Sequence, residues 1–337
     1  MQEAIRALVD GGDLSPALAA SAMEALMTGA ASPAQVGSFL TALRMRGESA
    51  EVIAACSTVM QAHAEPIQID NVIDICGTGG DGIDTFNVST AAGFVVAAAG
   101  GRVAKHGNRA ASSKCGSADI LEALGARIDL DGEQVAKAIE SCGFGFLFAQ
   151  RFHPAMRHVG GPRREMGIRT VFNMLGPLTN PARPRGQLAG VGARHLGPST
   201  AQALALRGMP RALVVHSNDG LDEISPATIT HTWFVIDGTV VERDLVPGDF
   251  GLPSHPLKEV LGGTPEVNAG LLLGVLDGAE GAITDFVLMN AAAALYVGGH
   301  VSGFEAGARM AREAIASGRA REVLDAYVAI TQELAGE

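Results

Sequence analysis

No hydrophobic run in this 337-residue sequence is long enough to cross a bilayer. The most apolar stretches, 91–101 and 291–299, fall well short of the roughly 20 residues a spanning helix needs. Cysteine is scarce. Cys56, Cys76, Cys115 and Cys142 are far apart and form no C-x-x-C pair, which argues against a zinc site or disulfide framework and leaves them as small buried hydrophobes. The opening residues, Met1-Gln2-Glu3-Ala4-Ile5-Arg6, place acid where a secretory signal would carry base. No low-complexity tract or like-charge block argues for disorder. A compact protein of the reducing cytoplasm is expected.

Positive charge is also in deficit. There are 25 Lys and Arg against 36 Asp and Glu, a net charge of −11, so long-range steering repels nucleic acid and other polyanions. Lysine occurs only as Lys105, Lys114, Lys137 and Lys258. The cations are concentrated. Arg102, Lys105, Arg109 and Lys114 fall close together, inside a span from Thr85 to Ala118 that holds no Asp or Glu. Arg151, Arg157, Arg163, Arg164 and Arg169 follow, against the single acid Glu165. An acidic protein that gathers cations into two short segments is expected to bind a small anion locally.

What is present is enough apolar material, 47% of residues, for a sizeable core. The first 65 residues predict helices: Ser15-Pro16 and Ser32-Pro33 each set an N-cap before a proline at the first helical position, and Ser32 with Gln35 has capping-box spacing. Val36, Phe39, Leu40 and Leu43 recur at helical period, and Pro66 closes the region. From Val72 short apolar runs (72–75, 144–148, 187–191, 212–215) alternate with helical stretches (89–99, 116–124, 133–141, 199–207), which predicts a parallel α/β sheet. Asp237-Gly238, between runs 233–236 and 239–242, predicts a two-residue hairpin. Helices close the chain. The expected class is α/β: a small all-helical domain over 1–65, joined by a helical segment near 155–180, and a larger α/β domain over 70–337 with a mainly parallel central sheet.

Gly77-Thr78-Gly79-Gly80-Asp81-Gly82 follows a predicted strand and matches G-x-G-x-x-G. A flexible strand-to-helix turn stays open on this motif alone. A Rossmann dinucleotide site would need an acid about 20 residues on, and that stretch has none. Arg102 leaves room for an NADP 2′-phosphate, so an NADP-linked oxidoreductase stands as a rival. Asn87-Val88-Ser89-Thr90 then places an amide and two hydroxyls at a helix start, where free N–H groups and the dipole favour an anion such as a diphosphate. The second motif, Lys105-His106-Gly107-Asn108-Arg109-Ala110-Ala111-Ser112-Ser113-Lys114, with Gly116-Ser117 after it, is a dense donor set for phosphate oxygens or else a solvated loop.

Taken together, Gly77–Thr90, Lys105–Arg109 and Ser112–Asp119 closely resemble the two hallmark segments of the anthranilate phosphoribosyltransferases. The similarity continues through Phe152–Met156, Gly167–Thr170, Asn173–Leu178 and Asp219–Ser225, and spans essentially the whole chain. The resemblance implies a fold of the nucleoside phosphorylase/phosphoribosyltransferase type, a homodimer, and a step of tryptophan biosynthesis: transfer of the phosphoribosyl group of phosphoribosyl pyrophosphate to anthranilate, with release of pyrophosphate. It implies donor binding by Gly77, Gly80, Asp81, Thr85, Asn87, Ser89, Thr90, Lys105, Asn108, Ser113 and Ser117. It implies anthranilate binding by Gly77, Asn108 and Arg163, with His106, His153 and Pro177 as neighbours. The same resemblance assigns Mg2+ to Ser89, Asp222 and Glu223, although an adjacent acidic pair is ordinarily a solvated turn. Nucleic acid and membranes are not expected partners.

The implied chemistry suits these residue types. Magnesium takes oxygen ligands and keeps waters, and Arg163 offers a planar fork for a carboxylate. The aniline nitrogen is neutral near pH 7, so catalysis is expected to be mainly electrostatic and positional. Gly160-Gly161-Pro162 stands before Arg163 where the family carries bulkier residues and a valine, so the aim of Arg163 is left open. Two further rivals remain. A pyrimidine nucleoside phosphorylase shares the architecture, but its lysine-bearing glycine motifs have another order. A noncatalytic nucleic-acid-binding relative should lack the Lys-His-Gly-Asn segment and carry a basic surface.

Overall fold

The computed structural model describes residues 1–110 and 113–336, so Ser112 of the second hallmark segment lies outside the described residues. The chain opens with α1 (Gln2–Val9), α2 (Pro16–Met27), α3 (Pro33–Arg46) and α4 (Ala50–Ala62). Their starts are chemically marked. Ser15, Ser32 and Ser49 each accept a backbone N–H three residues on, and Ser32 and Gln35 form the full reciprocal capping box. Val36, Phe39, Leu40 and Leu43 are the buried face of α3.

The chain then alternates: β1 (Ile73–Gly77), α5 (Val88–Ala98), β2 (Val103–Gly107), α6 (Ser117–Ala123), α7 (Gly132–Cys142) and β3 (Phe144–Phe148). Short helices α8 (Ala149–Phe152), α9 (Arg157–Met166) and α10 (Phe172–Leu175) lead to β4 (Gly186–Gly190), α11 (Gly197–Leu206) and β5 (Arg211–Ser217). The hairpin β6 (Thr230–Ile236) and β7 (Thr239–Leu245) precedes α12 (Pro265–Leu276), α13 (Ala282–Val297), α14 (Phe304–Ala316) and α15 (Arg319–Ala335). Asp237 and Gly238 both have positive φ, +46° and +81°, as a tight hairpin turn requires. One strand was not anticipated: the Lys105–Gly107 part of the second motif is not loop but β2.

The sheet order is β3-β2-β1-β4-β5-β6-β7, parallel from β3 through β5 and antiparallel thereafter. Successive strand residues face opposite sides. Ile73, Ile75, Leu188, Leu213 and Val215 enter one core with α5 and α13, whose helices are buried nearly all round. Ala189, Val191, Ala212 and Val214 enter a second core with α11 and the first four helices. Val159, Val171, Phe172, Met174 and Leu175 belong to this second core too, and α9 packs on α2 and α3. The segment 159–178 therefore ties the N-terminal helices to the ends of the central strands.

Strand order reverses at β1, which lies between β2 and β4. In open α/β sheets the crevice beyond the C-terminal ends of strands at such a reversal is where ligands bind. Each of these three strands ends in glycine: Gly77, Gly107 and Gly190.

Candidate active site

The glycines at the strand ends make room for other backbone and side chains. A Cβ on Gly77 would collide with the Asp222 carboxylate, and one on Gly190 with the Asp222 backbone. The loop after β5 thereby settles over the ends of β1 and β4, and the amide of Gly79 donates to Asp222 Oδ2 at 2.6 Å. Thr78 closes the same corner: its amide donates to Gly190 O at 2.9 Å and its hydroxyl accepts from the Gly192 amide at 3.0 Å. Gly79, Gly80 and Gly82 all have positive φ, and Asp81 Oδ1 accepts from the Ile83 amide at 3.0 Å to fix the turn.

Lys105 is only 1% exposed. Its Nζ donates to Ile75 O at 2.6 Å and to Ser89 Oγ at 3.1 Å, so an ammonium is held between β1 and the first turn of α5. Beneath it, Asp74 accepts from the His106 amide at 3.1 Å and from Gln187 Nε2 at 3.3 Å. Burial raises the Asp74 carboxyl to about 6 despite Asn180 and Lys105 nearby. Asp74 was not singled out from sequence. The signal was a lone acid inside the apolar run Val72-Ile73-Asp74-Ile75.

Asp222 is 7% exposed, not a residue of a solvated turn. Burial and the neighbouring Asp81 carboxylate raise it to about 6. Glu223, hydrogen-bonded to Ser89, is raised well above the usual carboxylate range by burial and then by Asp222. Among the described residues no three His, Cys, Asp or Glu side chains form a ready-made metal cage. The local donor set is nevertheless all oxygen, namely Ser89 with Asp222 and Glu223.

Beside β2, His106 Nδ1–H donates to Gly176 O at 3.1 Å, which leaves its Nε2 to accept from His153 Nε2–H at 3.2 Å. His153 Nδ1 is buried without a partner. Burial lowers His106 to about 4 and His153 to about 3, so both are neutral at physiological pH. Pro177 is buried and its carbonyl accepts from Gln187. Arg163 lies on α9 one residue after Pro162, which is accommodated inside the helix. Its guanidinium sits 4.9 Å from the Phe172 ring centroid, and burial lowers its pKa.

Other expected residues are less directly placed. Asn87 donates to Cys115 O and accepts from Asn268, tying the start of α5 to the 115–116 turn and α12. Asn108 is exposed and accepts from the Arg109 amide and from Gln150. Thr85 bridges to Leu261, Ser117 opens α6, and Ser113 is exposed. The Thr90 hydroxyl is sealed in the core without a partner, away from any open surface. Three cations of the two basic segments are already paired. Arg109 is paired with Glu122 and Asp119, Lys114 with Asp84, and Arg151 with Glu65. Asp84, Asp119 and Glu122 lie just outside the acid-free span, and the fold brings them, with the more distant Glu65, beside these cations. Arg169, from the second segment, instead donates to the carbonyls of Gly79 and Gly80.

This geometry can be set beside known proteins. Residues 2–64 match the helical bundle domain of a glycosyl transferase family, and residues 69–321 match its a/b domain. The chain is 48% identical over 333 residues to an anthranilate phosphoribosyltransferase of Acetivibrio thermocellus, covering 98% of this chain and 96% of that one. The chain belongs to the anthranilate phosphoribosyltransferase family. Its reaction is phosphoribosyl transfer to anthranilate, which sets aside the oxidoreductase and nucleoside phosphorylase readings. The crystal structure of the Thermus thermophilus enzyme superposes with a TM-score of 0.92 at 44% identity, covering 98% of this chain and 99% of that one. The Saccharomyces cerevisiae enzyme in complex with PRPP and Mg superposes with a TM-score of 0.90 at 32% identity, covering 98% of each chain. Among the described residues no helix is long and apolar enough to cross a membrane.

Proposed function

We propose that the crevice at the ends of β1, β2 and β4 is where this anthranilate phosphoribosyltransferase holds both substrates. The observation that carries the assignment is the Gly79–Asp222 bond, which brings an acidic loop over the glycine loop beside Ser89 and Lys105. The glycine loop, from Gly77 through Gly80 and Asp81 to Thr85, and the α5 start at Asn87, Ser89 and Thr90 receive the diphosphate, with Lys105, Asn108, Ser113 and Ser117 completing the donor side. Thr90 is the least accessible of these residues, its hydroxyl being buried without a partner. Anthranilate lies toward Gly77, Asn108, His106, His153 and Pro177, with its carboxylate on Arg163, whose planar fork suits that group.

Asp222, Glu223 and Ser89 would hold magnesium. Burial and mutual repulsion have already raised both carboxyls, and a divalent cation relieves that cost. When bound, the ion supplies neutralisation of the phosphate charge. The chain does the rest. Lys105 fixes a positive charge at the start of α5, where the leaving diphosphate gains charge. The bond from ribose C1 to the pyrophosphate oxygen breaks as the bond from C1 to the anthranilate nitrogen forms, through an oxocarbenium-like state. The amine proton leaves to water or pyrophosphate. The aniline nitrogen enters neutral, so the neutral pair His106 and His153 orients rather than deprotonates it.

Purified protein mixed with magnesium, phosphoribosyl pyrophosphate and anthranilate should consume anthranilate fluorescence, and omission of any component should stop the loss. Undiminished fluorescence in the complete mixture would overturn the assignment. A cytoplasmic homodimer completes the proposal, and light scattering on the purified chain checks the dimer.

A further inference from the structure

Arg169 forms no ion pair among the described residues. Its Nη1 donates to Gly79 O at 3.2 Å and to Gly80 O at 2.9 Å, and its Nη2 donates to Gly79 O at 3.2 Å. The slot that admits it is lined by glycine. A Cβ on Gly80 would collide with Nη1, and a Cβ on Gly192 would lie 3.4 Å from Nη2. Arg169 itself hangs from a stretch anchored at both ends, with α9 stopping at Gly167 in the left-handed conformation and Thr170, Val171 and Phe172 buried.

In a trans peptide the C=O and the next N–H point in opposite directions from one rigid plane. Holding the carbonyls of Gly79 and Gly80 on the arginine therefore turns the amides of Gly80 and Asp81 to the opposite side. Those amides, with that of Gly82, donate to no other residue among the described residues. The Gly79 amide is already engaged by Asp222. Without a cation on the carbonyl side, a loop with three residues at positive φ is free to flip either peptide and present oxygen, not N–H, to an anion.

We propose that Arg169 is a positioning residue that clamps the glycine loop with its carbonyls held back and its amides offered to the diphosphate. The clamp comes from the segment that packs with the N-terminal helices, so it also links the donor loop to the anthranilate side, where Arg163 lies six residues upstream. The inference rests on the glycine loop being the donor site, and the experiment separates the two.

Arg169→Ala, Arg169→Lys and Ser89→Ala are compared by calorimetric titration with phosphoribosyl pyrophosphate and magnesium, and by steady-state kinetics. The clamp predicts that Arg169→Ala raises the donor KM about tenfold to a hundredfold while kcat at saturating donor and the anthranilate KM stay within about threefold, as expected for loss of a few hydrogen bonds. Lysine, lacking the planar fork, should fall closer to alanine than to wild type. Millimolar guanidinium should partly restore donor binding in Arg169→Ala, which relief of a general folding defect would not do. If Ser89→Ala weakens the donor and Arg169→Ala does not, the clamp is wrong. If neither weakens it, the location of the donor site is wrong. A lysine variant with wild-type donor affinity would show that charge alone suffices and would also overturn the clamp.

Discussion

Replacing Asp222 by Asn and Glu223 by Gln should stabilise the unliganded protein while disabling it. In the unfolded chain Asp222 ionises near 3.8, and in the fold near 6. The folded state therefore holds the extra proton between those values. Its stabilising contribution is complete below about 3.8 and is lost as pH rises through about 6. Above that the unliganded fold carries a cost of up to about 3 kcal/mol, because one pKa unit corresponds to about 1.4 kcal/mol. Glu223 acts in the same direction. The amides keep the shape, and the side-chain carbonyl of the asparagine introduced in place of Asp222 can still accept from the Gly79 amide. For a chain of 337 residues about 1–3 kcal/mol corresponds to roughly 1.5–4 °C. At pH 8 the double variant should melt that much higher than wild type, and the gap should narrow to about half by pH 5 and close only near the unfolded value of about 3.8. Magnesium with phosphoribosyl pyrophosphate should reverse the ranking, because ligand stabilisation follows affinity and only wild type retains the carboxylates. Melting curves at pH 5 and pH 8, with and without both ligands, and a magnesium titration of turnover supply the data. A double variant that melts at or below wild type at pH 8 would refute the electrostatic reasoning. An unchanged magnesium requirement would remove the pair from the metal site.

Arg163→Ala should weaken anthranilate about tenfold to a hundredfold, the value of a charge-assisted carboxylate contact of about 1.5–3 kcal/mol, and leave donor affinity nearly intact. Calorimetry showing the reverse pattern would displace Arg163 from that role. Lys105→Met should cost about 1–3 kcal/mol of stability, since it leaves the buried Ile75 carbonyl and Ser89 hydroxyl without their charged donor, and should cut turnover at least a hundredfold. A melting temperature near wild type would contradict the burial argument. His106 and His153 should show no protonation by nitrogen-15 NMR between pH 6 and 8, because burial places them near 4 and 3. Their depressed values make the fold lose stability as pH drops from about 6.5 toward 4, opposite in sign to Asp222. An imidazole of this pair titrating near 6.5 would refute the tautomer chain.

Local chemistry was written in the sequence. The caps at Ser15 and Ser32, the helical period of Val36–Leu43, the Asp237-Gly238 turn and the alternation of strands with helices depend on neighbours within a few residues, and they appear where expected. The hallmark segments likewise identified the family, because they are contiguous. What sequence could not supply was partnership across the chain. Four cations of segment 102–114 read alike, yet sheet order puts Lys105 against Ser89 and turns Arg109 toward Glu122. Adjacent acids ordinarily mark a solvated turn, but the glycine ends of β1 and β4 make space to bury Asp222, 143 residues from the amide it receives. Arg169 read as one more phosphate-seeking cation, and only the closed loop shows it holding carbonyls. Charge and hydrogen-bonding capacity belong to the residue. Burial, and the partner that burial demands, are properties of the packed sheet.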